Sequence, residues 1–261
     1  MDLPLYVGPA SFRVPAHVLV EALAYTAGFA LYRAERRRRG DVVDDHARWA
    51  LIAAAAVGAA LGSRLPLWLA ELPQLLAGTL SLAAWYGRKT IVGALLGGLV
   101  SVELVKRRIG VTRATGDLFA LPLAVAIAIG RVGCLLGGLE DGTHGLPSSL
   151  PWAIDLGDGV PRHPAPLYEM LFLAPLAALL VRARRGAGAD GAAREGDGFK
   201  LFLAAYLAFR LVADFLKPRA PLLGLDPIQW CCVGGLLYYL PHLPRLARLA
   251  VTPRRAGTPA P

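Results

Sequence analysis

Apolar residues in this chain fall in long unbroken runs, separated by short polar stretches rich in arginine. The runs cover Ala16–Tyr32, Ala47–Gly62, Ile91–Val105, Asp117–Gly137, Pro166–Val181, Phe199–Leu216 and Pro227–Leu243. None alternates apolar and polar positions at period 2, so they predict helices and not strands. A helix of roughly 17–25 apolar residues crosses a hydrocarbon core of about 30 Å, and most of these runs approach that length. Inside lipid each must satisfy its own backbone hydrogen bonds, which a helix does. The pattern predicts an all-α polytopic membrane protein with about seven transmembrane helices.

One more apolar stretch, Pro66–Trp85, is interrupted by Pro66, Glu71, Pro73 and Gly78. Its status follows from charge. The basic clusters Arg33–Arg39, Lys106–Arg113, Arg182–Arg194 and Arg245–Arg255 lie between or after the runs, and short basic loops stay cytoplasmic. All four share one side only with an odd number of crossings, the N-terminus outside and 66–85 re-entering or lying at the outer interface. This arrangement makes 138–165 an external loop or small head, 182–198 a flexible cytoplasmic linker and the C-terminus cytoplasmic. Residues 1–251 then form a single integral membrane domain, and 252–261 predict a disordered tail. The spacings Gly58/Gly62 and Gly93/Gly97 suit close helix packing.

Composition agrees with this class. The chain is 55% hydrophobic and only 18% charged, where a soluble domain carries about 25% charged residues. The net charge of +9 sits in the inter-helix clusters, so its expected counter-charge is anionic lipid and not nucleic acid. Cys134, Cys231 and Cys232 lie in or beside apolar runs and show no disulfide framework or zinc spacing; no metal or organic cofactor is expected. The N-terminus lacks a basic segment followed by a small-residue cleavage site, so no cleaved signal peptide is expected.

The informative polar residues gather at the predicted outer end. Arg131 lies near the end of the run 117–137, where a charge is expensive and asks for a reason. His163, Tyr168 and Glu169 mark the entrance to the next run. Tyr206, Arg210 and Asp214 follow at four-residue spacing and share one helix face. Both arginines oppose the positive-inside trend. One reading is an intramembrane salt bridge that holds two helices together. The other is a site where planar guanidinium groups grip a phosphate, at a membrane most naturally a phospholipid headgroup. The acids Glu140, Asp141, Asp155 and Asp158 match no complete calcium loop and read as solvated turn residues. Cys134 reads as a packing residue, since an apolar setting disfavours the thiolate.

Three segments carry a family resemblance: Gly130-Arg131-Val132-Gly133 with Gly142 downstream, His163-Pro164 through Leu167-Tyr168-Glu169, and Phe209-Arg210-Leu211-Val212-Ala213-Asp214-Phe215. Together they resemble the prolipoprotein diacylglyceryl transferases of bacterial inner membranes, over about residues 15–245. The resemblance implies seven membrane helices with a periplasmic head. It also implies transfer of a diacylglyceryl group from phosphatidylglycerol to the lipobox cysteine of a prolipoprotein, yielding a thioether and glycerol phosphate. Arg131 and Arg210 would grip the phosphate, with Asp214 and His163 also catalytic. Gly133, Cys134, Glu140, Gly142, Tyr168, Glu169 and Tyr206 would line the substrate site. The chain departs from the pattern at Cys134 (Asn in the family), Pro166 (Gln), Asp214 (Glu), and in Thr90–Gly97, where a family histidine is absent. It therefore resembles a divergent branch. The absent histidine leaves the base for the acceptor thiol open; in a related enzyme with a different acceptor or lipid, His163 or Asp214 would be the base. A related enzyme with another acceptor and a non-catalytic phospholipid-binding protein are the alternative readings.

Overall fold

In the computed structural model of the chain, residues 3–9, 13–186, 194–218 and 223–251 are described. The architecture is helical. Helices α1 (Ala16–Arg39), α2 (Asp45–Gly62), α3 (Leu65–Leu76), α4 (Leu82–Gly87) and α5 (Ile91–Arg108) make the first half. Helices α6 (Asp117–Leu136), α7 (Ala165–Gly186), α8 (Asp197–Ala213), α9 (Pro227–Tyr239) and α10 (Leu243–Val251) make the second. The only sheets among the described residues are two-residue pairs, Tyr6–Val7 with Val14–Pro15 and Ile154–Asp155 with Pro161–Arg162.

Among the described residues, three helical stretches are long and apolar enough to cross a membrane: Asp45–Leu76, Asp117–Leu136 and Ala165–Ala183. The others are apolar on their packed faces but shorter or charged at an end. Helix α9 has 13 residues, or about 20 Å at 1.5 Å per residue, and α1 ends in four arginines. A multi-pass membrane protein is what these helices describe. The stretch 66–85 folds as the 12-residue α3 and the 6-residue α4. Trp68 and Trp85 stack at 5.0 Å, and each indole N–H donates to the other's backbone carbonyl, at 3.1 and 3.2 Å. These reciprocal bonds turn the segment back on itself.

Small residues set a close crossing of α2 on α5. A Cβ on Gly93 would lie 2.1 Å from the Gly62 carbonyl oxygen, and one on Gly97 would lie 2.3 Å from that of Gly58. The paired glycines thus let α2 and α5 touch backbone to backbone, as their spacing predicts. The core lies among α5, α6, α7, α8 and α9, where Val92, Ala120, Leu173, Leu180, Phe202, Leu207, Ile228 and Cys232 are buried. Phe172 of α7 stacks on Phe209 of α8 at 4.3 Å.

Two contacts fix the end of α8. Asp226 caps α9 in a reciprocal box with Gln229, and the Gln229 side chain donates to the Leu211 carbonyl at 2.9 Å. Leu146 of the 138–165 loop donates to the Leu216 carbonyl at 2.7 Å. The loop and α9 therefore clamp the segment that carries Arg210 and Asp214. The predicted linker lies partly in α7, which runs on to Gly186. Residues 187–193 and the predicted tail at 252–261 lie outside the described residues.

Candidate active site

Three helices bring their charged residues to the end of the bundle that carries the 138–165 loop. Helix α6 supplies Arg131 from its last turns, α7 supplies Glu169 from its first turns, and α8 supplies Tyr206 and Arg210, with Asp214 just past its end. Arg131, Glu169, Tyr206, Arg210 and Asp214 are all buried. Buried charges in a membrane helix must be paired and hydrogen-bonded to persist, and these form a continuous chain. Arg131 Nε lies 2.9 Å from Glu169 Oε1. The same carboxylate oxygen accepts from the Tyr206 hydroxyl at 2.7 Å. Arg210 Nη1 donates to that hydroxyl at 3.4 Å. Arg210 Nη2 donates to both Asp214 oxygens at 2.9 Å, and its Nε reaches Oδ1 at 3.2 Å.

Sequence spacing alone did not reveal Lys217. It is buried, and its ammonium lies 3.2 Å from Asp214 Oδ1. Burial, and then the nearby Arg210 guanidinium, push its pKa down to about 8 against the opposing pull of Asp214. The signal was present as a lysine three residues past Asp214, but only the turn that ends α8 folds it inward. Arg131, Arg210 and Lys217 face Glu169 and Asp214 in this chain of contacts, an excess of positive charge suited to an anion.

Arg131 also donates from Nη1 to Cys134 Sγ at 3.3 Å, which ties the α6 end to the arginine chain. Gly133, one position earlier, lets α6 lie close to α1; a Cβ there would be 3.2 Å from the His17 carbonyl oxygen and from Val20 Cβ. Gly142 adopts φ 66 and ends the short 3-10 turn Gly138–Asp141, a backbone state that glycine takes without strain.

The remaining predicted residues sit apart. His163 Nδ1 lies 3.1 Å from the Tyr168 hydroxyl, which also accepts from the Trp152 indole N–H at 2.8 Å. This trio forms a second polar group on the loop side. Among the described residues it has no hydrogen bond to Arg131 or Arg210. Glu140 is exposed and accepts from the Tyr6 hydroxyl at 3.2 Å; that carboxylate raises the tyrosine pKa. Asp155 accepts from the backbone N–H groups of Gly157, Asp158 and Gly159. Those bonds hold its pKa below the usual carboxylate value, and they make it a turn residue, as its sequence setting predicts.

The sequence model of the prolipoprotein diacylglyceryl transferase family matches residues 5–241. The chain belongs to the prolipoprotein diacylglyceryl transferase family. Among similar proteins, the phosphatidylglycerol–prolipoprotein diacylglyceryl transferase of Geobacter sulfurreducens is 31% identical over 275 residues, covering 99% of this chain and all of that one. The enzymes of the same name from Bordetella bronchiseptica and Solidesulfovibrio magneticus are each 31% identical. The first covers 84% of this chain and 86% of its own length; the second covers 88% and 86%. Within this transferase family member, the buried arginine chain joins charges from α6, α7 and α8 at the end of the bundle that carries the 138–165 loop.

Proposed function

We propose that the chain transfers a diacylglyceryl group from phosphatidylglycerol to the lipobox cysteine thiol of a prolipoprotein, releasing glycerol phosphate. The observation that carries this reading is the buried chain from Arg131 through Glu169 and Tyr206 to Arg210, in a member of this transferase family. In the reaction a sulfur–carbon bond forms at the glyceryl carbon and the carbon–oxygen bond to phosphate breaks. The electron pair leaves on the phosphate oxygen, and the thiol gives up its proton. Charge grows on the departing phosphate, so preorganised guanidinium donors stabilise the transition state more than the ground state.

Arg131 and Arg210 are the phosphate-gripping groups in this reading. Glu169 and Tyr206 hold the two guanidinium groups in register, and Asp214 orients Arg210 by its bidentate bond. Lys217 adds a third cation while it is protonated. Gly133, Cys134, Gly142, Glu140 and Tyr168 border the substrate-binding region, with His163 and Tyr168 on the loop side facing the incoming peptide. Residues 1–251 act as one membrane domain with seven crossings, the N-terminus and the 138–165 head outside and the C-terminus in the cytoplasm of a bacterial inner-membrane protein. The four basic clusters support that orientation by the positive-inside bias.

The test uses purified chain in liposomes of phosphatidylglycerol labelled in the headgroup glycerol. Release of labelled glycerol phosphate that depends on a lipobox peptide supports the reading. Release that is indifferent to the peptide's cysteine indicates a different acceptor, and none from folded protein contradicts the reading.

A further inference from the structure

A second group of side chains meets beside the arginine chain, and the phosphate grip does not use it. His17 of α1, Cys134 of α6 and Asp141 of the following turn place Nδ1, Sγ and a carboxylate oxygen within 4.8 Å of one another. His17 Nδ1 lies 3.0 Å from Asp141 Oδ1, an imidazole–carboxylate contact without hydrogen-bond alignment. Neighbouring ligands of a tetrahedral zinc ion stand roughly 3.3–3.8 Å apart, given bonds of about 2.0 Å to nitrogen or oxygen and 2.3 Å to sulfur. A nitrogen, a thiol sulfur and a carboxylate oxygen are the donors a zinc-class cation selects.

Each donor is also held from behind. His17 turns its other ring nitrogen, Nε2, towards Glu21 Oε2 at 3.6 Å. Asp141 takes a hydrogen bond from the Thr143 hydroxyl on its second oxygen at 2.5 Å, leaving Oδ1 for the centre. Cys134 Sγ accepts from Arg131 Nη1 at 3.3 Å. A carboxylate hydrogen-bonded by a hydroxyl is a support that fixes a metal ligand in place, and Glu21 stands within ion-pair reach of the imidazole. The three residues come from separate elements, 117 and 7 positions apart along the chain, so no local sequence spacing shows the group.

We infer that His17, Cys134 and Asp141 form a three-ligand site for a zinc-class divalent cation, whose open fourth position takes the acceptor cysteine as a thiolate. The thiol-binding half of this inference rests on the transfer reading above; the cation site does not. Three protein ligands with one open position is the coordination of catalytic zinc, which binds an exchangeable ligand and favours its deprotonated form. The acceptor's proton passes to solvent as the sulfur binds. The sulfur then attacks the glyceryl carbon, and the phosphate departs on the Arg131 side, one hydrogen bond from Cys134.

The test loads full-length protein, stripped with a chelator and reconstituted in phosphatidylglycerol nanodiscs, with Co²⁺. One equivalent of cobalt with a sulfur-to-cobalt charge-transfer band is expected. The band should vanish in Cys134→Ser and persist in Cys231→Ser, and His17→Ala should weaken binding at least tenfold. A peptide with a single lipobox cysteine should intensify the band, whereas its serine analogue should not. Failure to bind one equivalent, or a band unchanged in both Cys134→Ser and His17→Ala, overturns the site. A cobalt spectrum blind to the peptide thiol overturns its role as thiol ligand. If cobalt binds as expected while loaded protein transfers nothing, the site stands and the transfer reading falls.

Discussion

Arg131 of α6 and Glu169 of α7 form a buried ion pair at 2.9 Å, with side chains 6% and 2% exposed. Removing one partner of such a pair strands the other charge away from water, a penalty of about 3–5 kcal/mol. Glu169→Gln should therefore lower stability by about that amount. Arg131→Lys keeps the charge but loses the planar fork, so it should fold and yet lose at least a hundredfold in transfer rate, about 2.7 kcal/mol of transition-state stabilisation. Thermal unfolding in detergent beside an initial-rate assay separates the two effects. Equal loss of stability and rate in Arg131→Lys would make the pair a helix clamp and nothing more.

Tyr206 bridges the two halves of the chain, donating to Glu169 and accepting from Arg210. Tyr206→Phe keeps the ring's packing and leaves a buried carboxylate short of one donor, which costs about 1–3 kcal/mol. Thermal unfolding should show that loss, and the transfer rate should fall roughly tenfold as Arg131 and Arg210 lose their common anchor. An unchanged rate would place the hydroxyl outside the reaction.

Lys217 gives the site a pH dependence. Its folded pKa, about 8, lies below the value of about 10.4 in an unfolded chain. Between those values the unfolded state binds a proton that the folded state has released. Holding the buried charge thus weakens the fold below pH 8, and the penalty lifts as pH rises through that window. For catalysis the sign is opposite, because above pH 8 the phosphate loses a cation. The KM for phosphatidylglycerol should rise roughly tenfold between pH 7 and pH 9, the loss of one charged hydrogen bond. Lys217→Arg should flatten that rise, since arginine stays protonated; an identical rise in the variant would assign the titration elsewhere.

The glycine crossing of α2 on α5 has no slack. Gly93→Ala puts a methyl 2.1 Å from the Gly62 carbonyl oxygen and should destabilise the protein by about 1–3 kcal/mol or more as the helices part. Gly234→Ala, with open space around it, should leave the unfolding midpoint unchanged or slightly raised. Equal effects would mean the crossing is not a determinant of stability.

Much of this was legible in the amino-acid sequence because helical periodicity is local. The apolar run 117–137 became α6, and the i,i+4 spacing of Tyr206, Arg210 and Asp214 gave their shared face. What joins helices was less visible. The contact of Glu169 with Arg131 depends on how α7 is rotated against α6, and the inward turn of Lys217 depends on where α8 ends. His163 was expected at the catalytic group, but the loop turns it towards Tyr168 and Trp152. The two-residue sheet pairs carry no periodicity to read. Helix α7 outlasts its apolar run because a helix passes from an apolar medium into water without ending, and arginines favour its last turn.

The central claim is that buried arginines drive lipid transfer to a cysteine. Its most direct measurement is the mass of a lipobox peptide incubated with the chain in phosphatidylglycerol liposomes. The account predicts a gain of one diacylglyceryl group on the cysteine, absent with Arg131→Lys protein that remains folded. A peptide of unchanged mass with folded wild-type protein, or the same gain with Arg131→Lys, would contradict it.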